Sequence, residues 1–296
     1  MLIVKTTSTK QAFTRSKDEL TRPTVMELYN PQKKVKVSAD ASSHGLDARC
    51  DQLSREEMKL VSAVAIVFIV SSSCNASQTN SSCCYADVIP LNCHHALILG
   101  HTVTGVYVID PRDGLGSFPV WCDMKTNGGG WTVFQRRRDG SVNFNRGWAD
   151  YREGFGTLNG EFWLGLDKIH RLATSQVLRF DLVDFDNEKR HAEYDSFTVG
   201  PLASTYLMYV GKYSGNAGDS FSRHSGYVFA TKDKDSSPNC PAQYKGAWWY
   251  EVCHDSNLNG LYLKGPTDQW ATGVVWKTWK GHGYSLKFTE LKMRPQ

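Results

Sequence analysis

The tryptophans of this chain fix where a core can form, because all nine lie at or beyond Trp121. Residues 1–57 hold only Phe13 and Tyr29 as aromatics and are rich in Thr, Ser and Lys. Large apolar side chains are what offsets the entropy of ordering a chain, so the amino-terminal fifth cannot share the core that the rest of the sequence builds. The whole chain has 296 residues, 41% of them hydrophobic. That is material for one large domain or two small ones. Its formal charge of +4 is spread without a basic block, which argues against a nucleic-acid binder.

Residues 1–57 show no sustained apolar period, and Pro23 and Pro31 interrupt what there is. They read as disordered, or as an upstream over-extension of the gene. Met58-Lys59 then precedes LVSAVAIVFIV (Leu60 to Val70), eleven residues without a charge, followed by the small residues SSSCNAS. A basic start, a short apolar run and a small-residue zone predict a secretory signal peptide over 58–76. The rival reading, a type II membrane anchor, needs about 20 apolar residues, and this run falls short.

Cleavage after Ala76 would leave six cysteines: Cys83, Cys84, Cys93, Cys122, Cys240 and Cys253. None of their spacings is that of a zinc site. Cys83 and Cys84 are too close to bridge each other comfortably and sit in a Ser-rich tail over 77–90, which makes them candidates for chain-to-chain bridges. Asn80 heads a glycosylation sequon in the same tail.

From Leu91 the pattern changes. GVYVIDP (Gly105 to Pro111) alternates apolar and other residues, and FPVWCDM (Phe118 to Met124) and WTVFQRR (Trp131 to Arg137) follow it as further strands, separated by turn sequences. EFWLGLDKIHRLAT (Glu161 to Thr174) carries Phe162, Leu166, Ile169 and Leu172 near helical spacing. VLRFDLVDF, AEYDSFTVG and STYLMYVGKY read as further strands, giving an α+β domain over 91–296. The turn NGGG lacks the Lys-Ser/Thr of a phosphate loop and runs into a strand. Asp184, Asp186 and Glu188 read as a solvated surface turn, and His94-His95 as exposed loop. No GxSxG, HExxH or dinucleotide fingerprint occurs, so catalysis is not expected.

The most unusual chemistry lies between Thr231 and Tyr284: TKDKD, then NCPAQYKGAWWYEVCH, in which two cysteines flank twelve residues, then SNLNG, QWATG and WKGHGY. Carboxylates at i and i+2 beside a cysteine-flanked, aromatic-rich segment suggest a cation-braced loop next to an aromatic pocket.

These segments, in order from Leu91 to Gln296, resemble the fibrinogen C-terminal domain, the module shared by fibrinogen, ficolins, tachylectins and angiopoietins. The resemblance implies a small amino-terminal sheet, a central mostly antiparallel sheet with short helices, and a loop-rich carboxy-terminal region carrying the sites. It implies the disulfides Cys93–Cys122 and Cys240–Cys253. It implies a Ca²⁺ site on Asp233 and Asp235, completed by the carbonyls of Ser237 and Asn239, although the Ser236-Ser237-Pro238 run is shorter than in most relatives. Oxygen donors of this kind suit Ca²⁺.

In the lectin-like members an acetyl group sits in an aromatic cup beside the second disulfide. A cis peptide there turns backbone N–H groups towards the acetyl oxygen. The matching positions are Tyr244, the Val252-Cys253 peptide, His254, Trp270, Ala271 and His282. Fibrinogen itself has an acidic pocket there for a peptide amino terminus, and Tyr244 and Ala271 stand at two of its carboxylate positions. The resemblance therefore implies a secreted, calcium-dependent lectin for acetylated sugars in innate immune recognition, assembled as a disulfide-linked oligomer for avidity. A receptor-binding ligand like the angiopoietins and a structural or clotting-type matrix protein are the alternatives. Against all of them stands the plain reading that Tyr244 and Trp270 are packing residues.

Overall fold

Phe118–Asp123 and Trp131–Arg137 are neighbouring antiparallel strands, as read from the sequence, within the main sheet of the computed structural model. The structure describes residues 88–296 throughout, together with the backbone of Thr24–Asn30, Lys33–Ser42 and Gly45–Asp47. Seven strands run across the sheet: β1 (Gly105–Ile109), β2 (Phe118–Asp123), β3 (Trp131–Arg137), β4 (Gln176–Val183), β5 (Lys189–Tyr194), β6 (Tyr213–Gly215) and β7 (Phe288–Pro295). Their spatial order is β6-β5-β4-β7-β3-β2-β1, every neighbouring pair is antiparallel, and a short ribbon of Phe155–Gly156 with Phe162–Trp163 pairs onto β3.

The carboxy-terminal strand is thus the middle of the sheet. β7 pairs with β4 from Phe288↔Val183 to Pro295↔Gln176 and with β3 on its other side, shifting register at Leu291/Lys292. Being central, β7 and β3 are buried even at charged positions. Lys292 is 1% exposed and its ammonium lies 2.6 Å from Asp123, 2.6 Å from Asp181 and 2.8 Å from Glu290. Burial opposes protonation of Lys292, but the three carboxylates outweigh it and raise its pKa. These carboxylates are the one triple acidic cluster found among the described residues. The lysine already fills it, so it is no metal centre.

Four short helices matter for the site: α1 (Cys93–Ile98), α2 (Trp148–Glu153), α3 (Leu166–Leu172) and α4 (Cys240–Tyr244). Cys93 at the start of α1 is bonded to Cys122 on β2. His94 and His95, expected in an exposed loop, belong to α1 and are half-buried, because Asn92 Oδ1 caps the helix at the His95 N–H. The helix expected over Glu161–Thr174 begins only at Leu166, because Gly165 sits at φ 107° and Phe162–Trp163 pairs with β3 instead. AEYDSFTVG and STYLMYVGKY are each broken in two by turns. Asp184 is not solvated: it is fully buried and its carboxylate meets Lys280 Nζ at 2.6 Å.

The amino-terminal strands form a separate three-stranded antiparallel sheet, Thr24–Asn30 with Lys33–Ser42 and the latter with Gly45–Asp47. This sheet lies within the stretch read from sequence as disordered or as an over-extension of the gene. Val35, Val37, Ala39 and Ala41 alternate with polar residues, a period-two signal that the absence of large side chains conceals. The predicted signal segment 58–76, Asn80, Cys83 and Cys84 lie outside the described residues.

Candidate functional site

The Cys240–Cys253 disulfide closes a loop whose middle is core rather than pocket. Trp248, Trp249 and Tyr250, the aromatic run inside the cysteine-flanked segment, are buried. Trp249 packs edge-on against Phe229, and its indole N–H donates to the Tyr206 carbonyl at 2.9 Å. Buried in this way, the centre of the loop anchors its two ends, which carry the exposed chemistry.

Side chains pin those ends, because the region has little ladder of its own. Asn257 is fully buried. Its Nδ2 donates to the carbonyls of Tyr244 (3.0 Å) and Gly273 (3.3 Å), while its Oδ1 accepts from the Tyr250 hydroxyl at 2.7 Å. Asn259 Nδ2 donates to the Ala247 carbonyl at 3.0 Å. Strand β3 holds the same segment from below: Arg137 Nη1 donates to the carbonyls of Leu258 (3.1 Å) and Gly260 (2.7 Å), and Gln135 Nε2 to that of Leu258. His224 accepts at Nε2 from the N–H groups of Asp255 and Ser256, which leaves its Nδ1–H to donate to the Trp249 carbonyl at 2.7 Å. Burial lowers the His224 pKa to about 4, keeping it in this neutral form.

The aromatic residues named from the sequence come together on this frame. Tyr244 stands edge-on to His254, with ring centroids 4.7 Å apart; His254 stacks on His282 at 5.4 Å; Trp270 leans on His282 at 5.4 Å. His254 is nearly buried, and its Nε2–H donates to the Ala271 carbonyl at 3.0 Å, leaving Nδ1 as a buried acceptor with no partner. Burial first, then the neighbouring His224 and His282, lower its pKa to about 3. Burial also lowers the His282 pKa. The array is therefore neutral. Ala271 takes a left-handed conformation at φ 63° and its N–H donates to the His282 carbonyl at 3.0 Å, which sets Trp270 on the outside of the turn. The Val252-Cys253 peptide is cis. Trp270 is 68% exposed and Val252 67%. Trp270 is thus no packing residue. An indole left that far in water forms one wall of an open aromatic shelf.

The acidic loop lies at the other end of α4. Asp233 accepts from the Trp148 N–H at 2.9 Å and from Thr231 Oγ1 at 2.7 Å, so the start of α2 buttresses it across 85 residues of sequence. A Cβ at Gly147 would come within 2.6 Å of Asp233 Oδ2, so only glycine fits beneath that carboxylate. Burial opposes ionisation of Asp233, but these hydrogen bonds outweigh it and hold the carboxyl below its ordinary value. Lys234, between the two aspartates, swings away and lies 3.9 Å over the Trp148 ring. Asp235 Oδ1 accepts from Ser237 N–H at 2.7 Å, and the Ser237 carbonyl accepts from Asn239 N–H at 2.7 Å. Gly147 and Trp148 escaped the sequence reading, since nothing local links them to Asp233.

Antiparallel sheet, two disulfides and a disulfide-bounded carboxy-terminal loop region define a fibrinogen-like globe. The family described as "Fibrinogen beta and gamma chains, C-terminal globular domain" matches residues 89–296, and the chain belongs to it. It is 54% identical over 213 residues to mouse Fibrinogen C domain-containing protein 1, covering 69% of this chain and 46% of that protein. It is 50% identical over 211 residues to Ryncolin-4 of Cerberus rynchops, covering 69% and 61%. The chain thus spans about half the length of the first of these relatives. Among solved structures, the fibrinogen-like globe domain of human ANGPTL2 is similar at 41% identity and a TM-score of 0.68, covering 70% of this chain and 99% of that one. Lamprey fibrin D-dimer complexed with the peptide Gly-His-Arg-Pro-amide is similar at 32% identity and a TM-score of 0.66, covering 81% and 85%.

Proposed function

We propose that this protein is a secreted, calcium-dependent recognition protein that binds acetylated groups, N-acetyl sugars above all, and serves in innate immune recognition. The observation that carries the reading is the neutral shelf of Tyr244, His254, His282 and exposed Trp270 against the Cys240–Cys253 loop. An acetyl methyl group fits an aromatic wall, and the backbone at Val252-Cys253 would supply polar contacts beside it, while the Ala271 N–H and carbonyl, engaged by His282 and His254, shape the turn. The nearby carboxylates do not offer themselves to a cationic ligand. Asp255 is met by Lys277 at 2.8 Å and by Arg223, and Glu251 is paired with Arg223. This speaks against a peptide amino terminus like the one in the lamprey fibrin complex.

The acidic loop fits Ca²⁺ by donor chemistry: two carboxylates two residues apart, the intervening lysine turned aside, and backbone carbonyls following. Asp233 and Asp235 would hold the ion with the carbonyls of Ser237 and Asn239, and bound Ca²⁺ would supply a charge that fixes the loop leading into Cys240. The chain's own part is to keep α4 and Tyr244 in place and the shelf uncharged. One such shelf binds weakly, so several domains joined through Cys83 and Cys84 would provide avidity. A glycan array with and without calcium tests the reading. Retention of N-acetylated glycans only with calcium is expected; capture of no acetylated glycan in either condition would overturn it and favour a receptor-binding role like that of the angiopoietins.

A further inference from the structure

The main sheet has two unlike faces. On one, Leu178, Phe180, Leu291 and Met293 are buried in the core. On the other stand charged positions, with Glu290 opposite Arg136 and Asp181, and Lys292 opposite Arg179. Two cavities open on this charged face and meet at Thr126, Phe288 and Glu290. The first, of about 540 Å³, includes Trp121, Lys125, Arg138 and Asn159 in its lining. The second, of about 370 Å³, includes Val183, Lys189, Arg190 and His191. Both volumes lie in the range of ligand sites. Neither lining contains a residue of the aromatic shelf or of the acidic loop.

The acid in this groove is already engaged. Asp123, Asp181 and Glu290 all lie on Lys292, and Glu290 also meets Arg136 at 2.7 Å while Asp181 meets Arg179 at 2.7 Å. Not all of the base is. Arg190 is answered by Glu188 at 2.6 Å, and Arg138 only by Asp139 at 3.4 Å. Among the described residues Lys125 and Lys189 form no ion pair; both are exposed, and each belongs to a different cavity. A ligand with negative charge therefore meets two free ammonium groups and no unpaired carboxylate in the lining. Half-buried Trp121 and Phe288 add apolar surface, and Thr104, Thr126 and Asn159 add hydroxyl and amide groups. A sugar ring offers the complement of both, an apolar C–H face and a rim of hydroxyls.

We propose that this groove is a second glycan site, which takes an oligosaccharide bearing acidic groups, uronate or sulfate ester, at intervals along its chain. Two free cations in separate cavities suit sparse charge, whereas a nucleic acid carries a phosphate on every residue and calls for a continuous basic stripe. The site needs neither calcium nor an acetyl group, because its lining is separate from the loop and the shelf. Its ion pairs are exposed, so binding is modest and weakens with salt.

The test is calorimetry on the full chain with a hexasaccharide of alternating glucuronate and glucose, which carries no acetyl group, and with neutral cellohexaose. The acidic sugar should bind with or without calcium, and the neutral one should not. Lys125→Glu with Lys189→Glu should weaken binding at least about tenfold, as should raising NaCl from about 0.05 to 0.5 M. Both lysines are exposed, so the unfolding midpoint of that variant should stay put. Trp270→Ala, and Lys212→Glu at an exposed position outside the groove, should bind as the intact chain does. A sulfated cellohexaose distinguishes the two sources of charge, and binding of either acidic sugar supports the site. Binding of neither, or equal binding by the double lysine variant, would overturn it. So would loss on Trp270→Ala, which would place the sugar on the shelf, or tighter binding of a single-stranded DNA hexamer, which would mark the face as a nucleic-acid surface.

Discussion

The central sheet and the loop region after Phe221 are held by different means. In the sheet, β7 makes eight residue pairs with β4 and five with β3, so backbone ladders carry the structure and the buried Lys292 cluster locks three strands together. In the loop region the ladders are only two residues long, Ser256–Asn257 with Val275–Trp276 and Gly265–Pro266 with Tyr284–Ser285. There Asn257, Asn259, His224 and Ser285 satisfy the backbone with side chains. A ladder tolerates change at most side chains, whereas a pinned loop depends on each pin. That difference lets the loops present the shelf, and it makes single polar residues there decisive.

The largest expected effect lies in the sheet. Lys292→Met leaves buried Asp123 without a cation, while Asp181 keeps Arg179 and Glu290 keeps Arg136, and should cost about 3–5 kcal/mol, read as a lowered urea midpoint. An unchanged midpoint would mean that the cluster relaxes or protonates without harm. Next comes Asn257→Ala, which strands the Tyr250 hydroxyl and the carbonyls of Tyr244 and Gly273 and should cost about 2–3 kcal/mol. Unlike Lys292→Met, it should also abolish sugar binding under conditions where the protein is still folded. Equal binding by folded Asn257→Ala would erase the contrast between the regions.

Acid should weaken the loop region through its buried histidines. His224 and His254 have folded pKa values of about 4 and about 3, below the ordinary 6.5. The unfolded chain therefore binds more protons in the interval between. Their contribution is fully present above pH 6.5 and is lost as pH falls towards those folded values, with a slope of up to about 1.4 kcal/mol per pH unit for each. Urea unfolding at pH 7.5, 6 and 5 checks this, and a flat profile would contradict it.

How much of this was legible in the sequence follows the same division. Strand β1 announces itself by alternation and β2 and β3 by the turns between them, and the shelf residues were found by matching the ordered segments to a family. Their meeting could not be read from spacing, since Tyr244 and His282 are 38 residues apart and come together only through Asn257 and the turn at Ala271. The buttress of Asp233 by Gly147 and Trp148 left no local signal. The aromatic run Trp248 to Tyr250 shows that composition cannot tell a core anchor from a pocket wall. Only the exposures separate them: Trp248 and Trp249 are fully buried, while Trp270 is largely exposed.

The smallest stability effect accompanies the most informative loss of binding. Trp270→Ala should change stability by no more than about 0.5 kcal/mol, the range for an exposed side chain. Calorimetry of Ca²⁺ and of N-acetylglucosamine on the intact chain, Trp270→Ala and Asp233→Ala tests the central claim most directly. Trp270→Ala should bind Ca²⁺ as the intact chain does and lose the sugar, whereas Asp233→Ala should lose Ca²⁺ and, with α4 no longer restrained, the sugar too. Undiminished sugar binding by Trp270→Ala would contradict the shelf, and undiminished sugar binding by calcium-free Asp233→Ala would contradict its dependence on the ion.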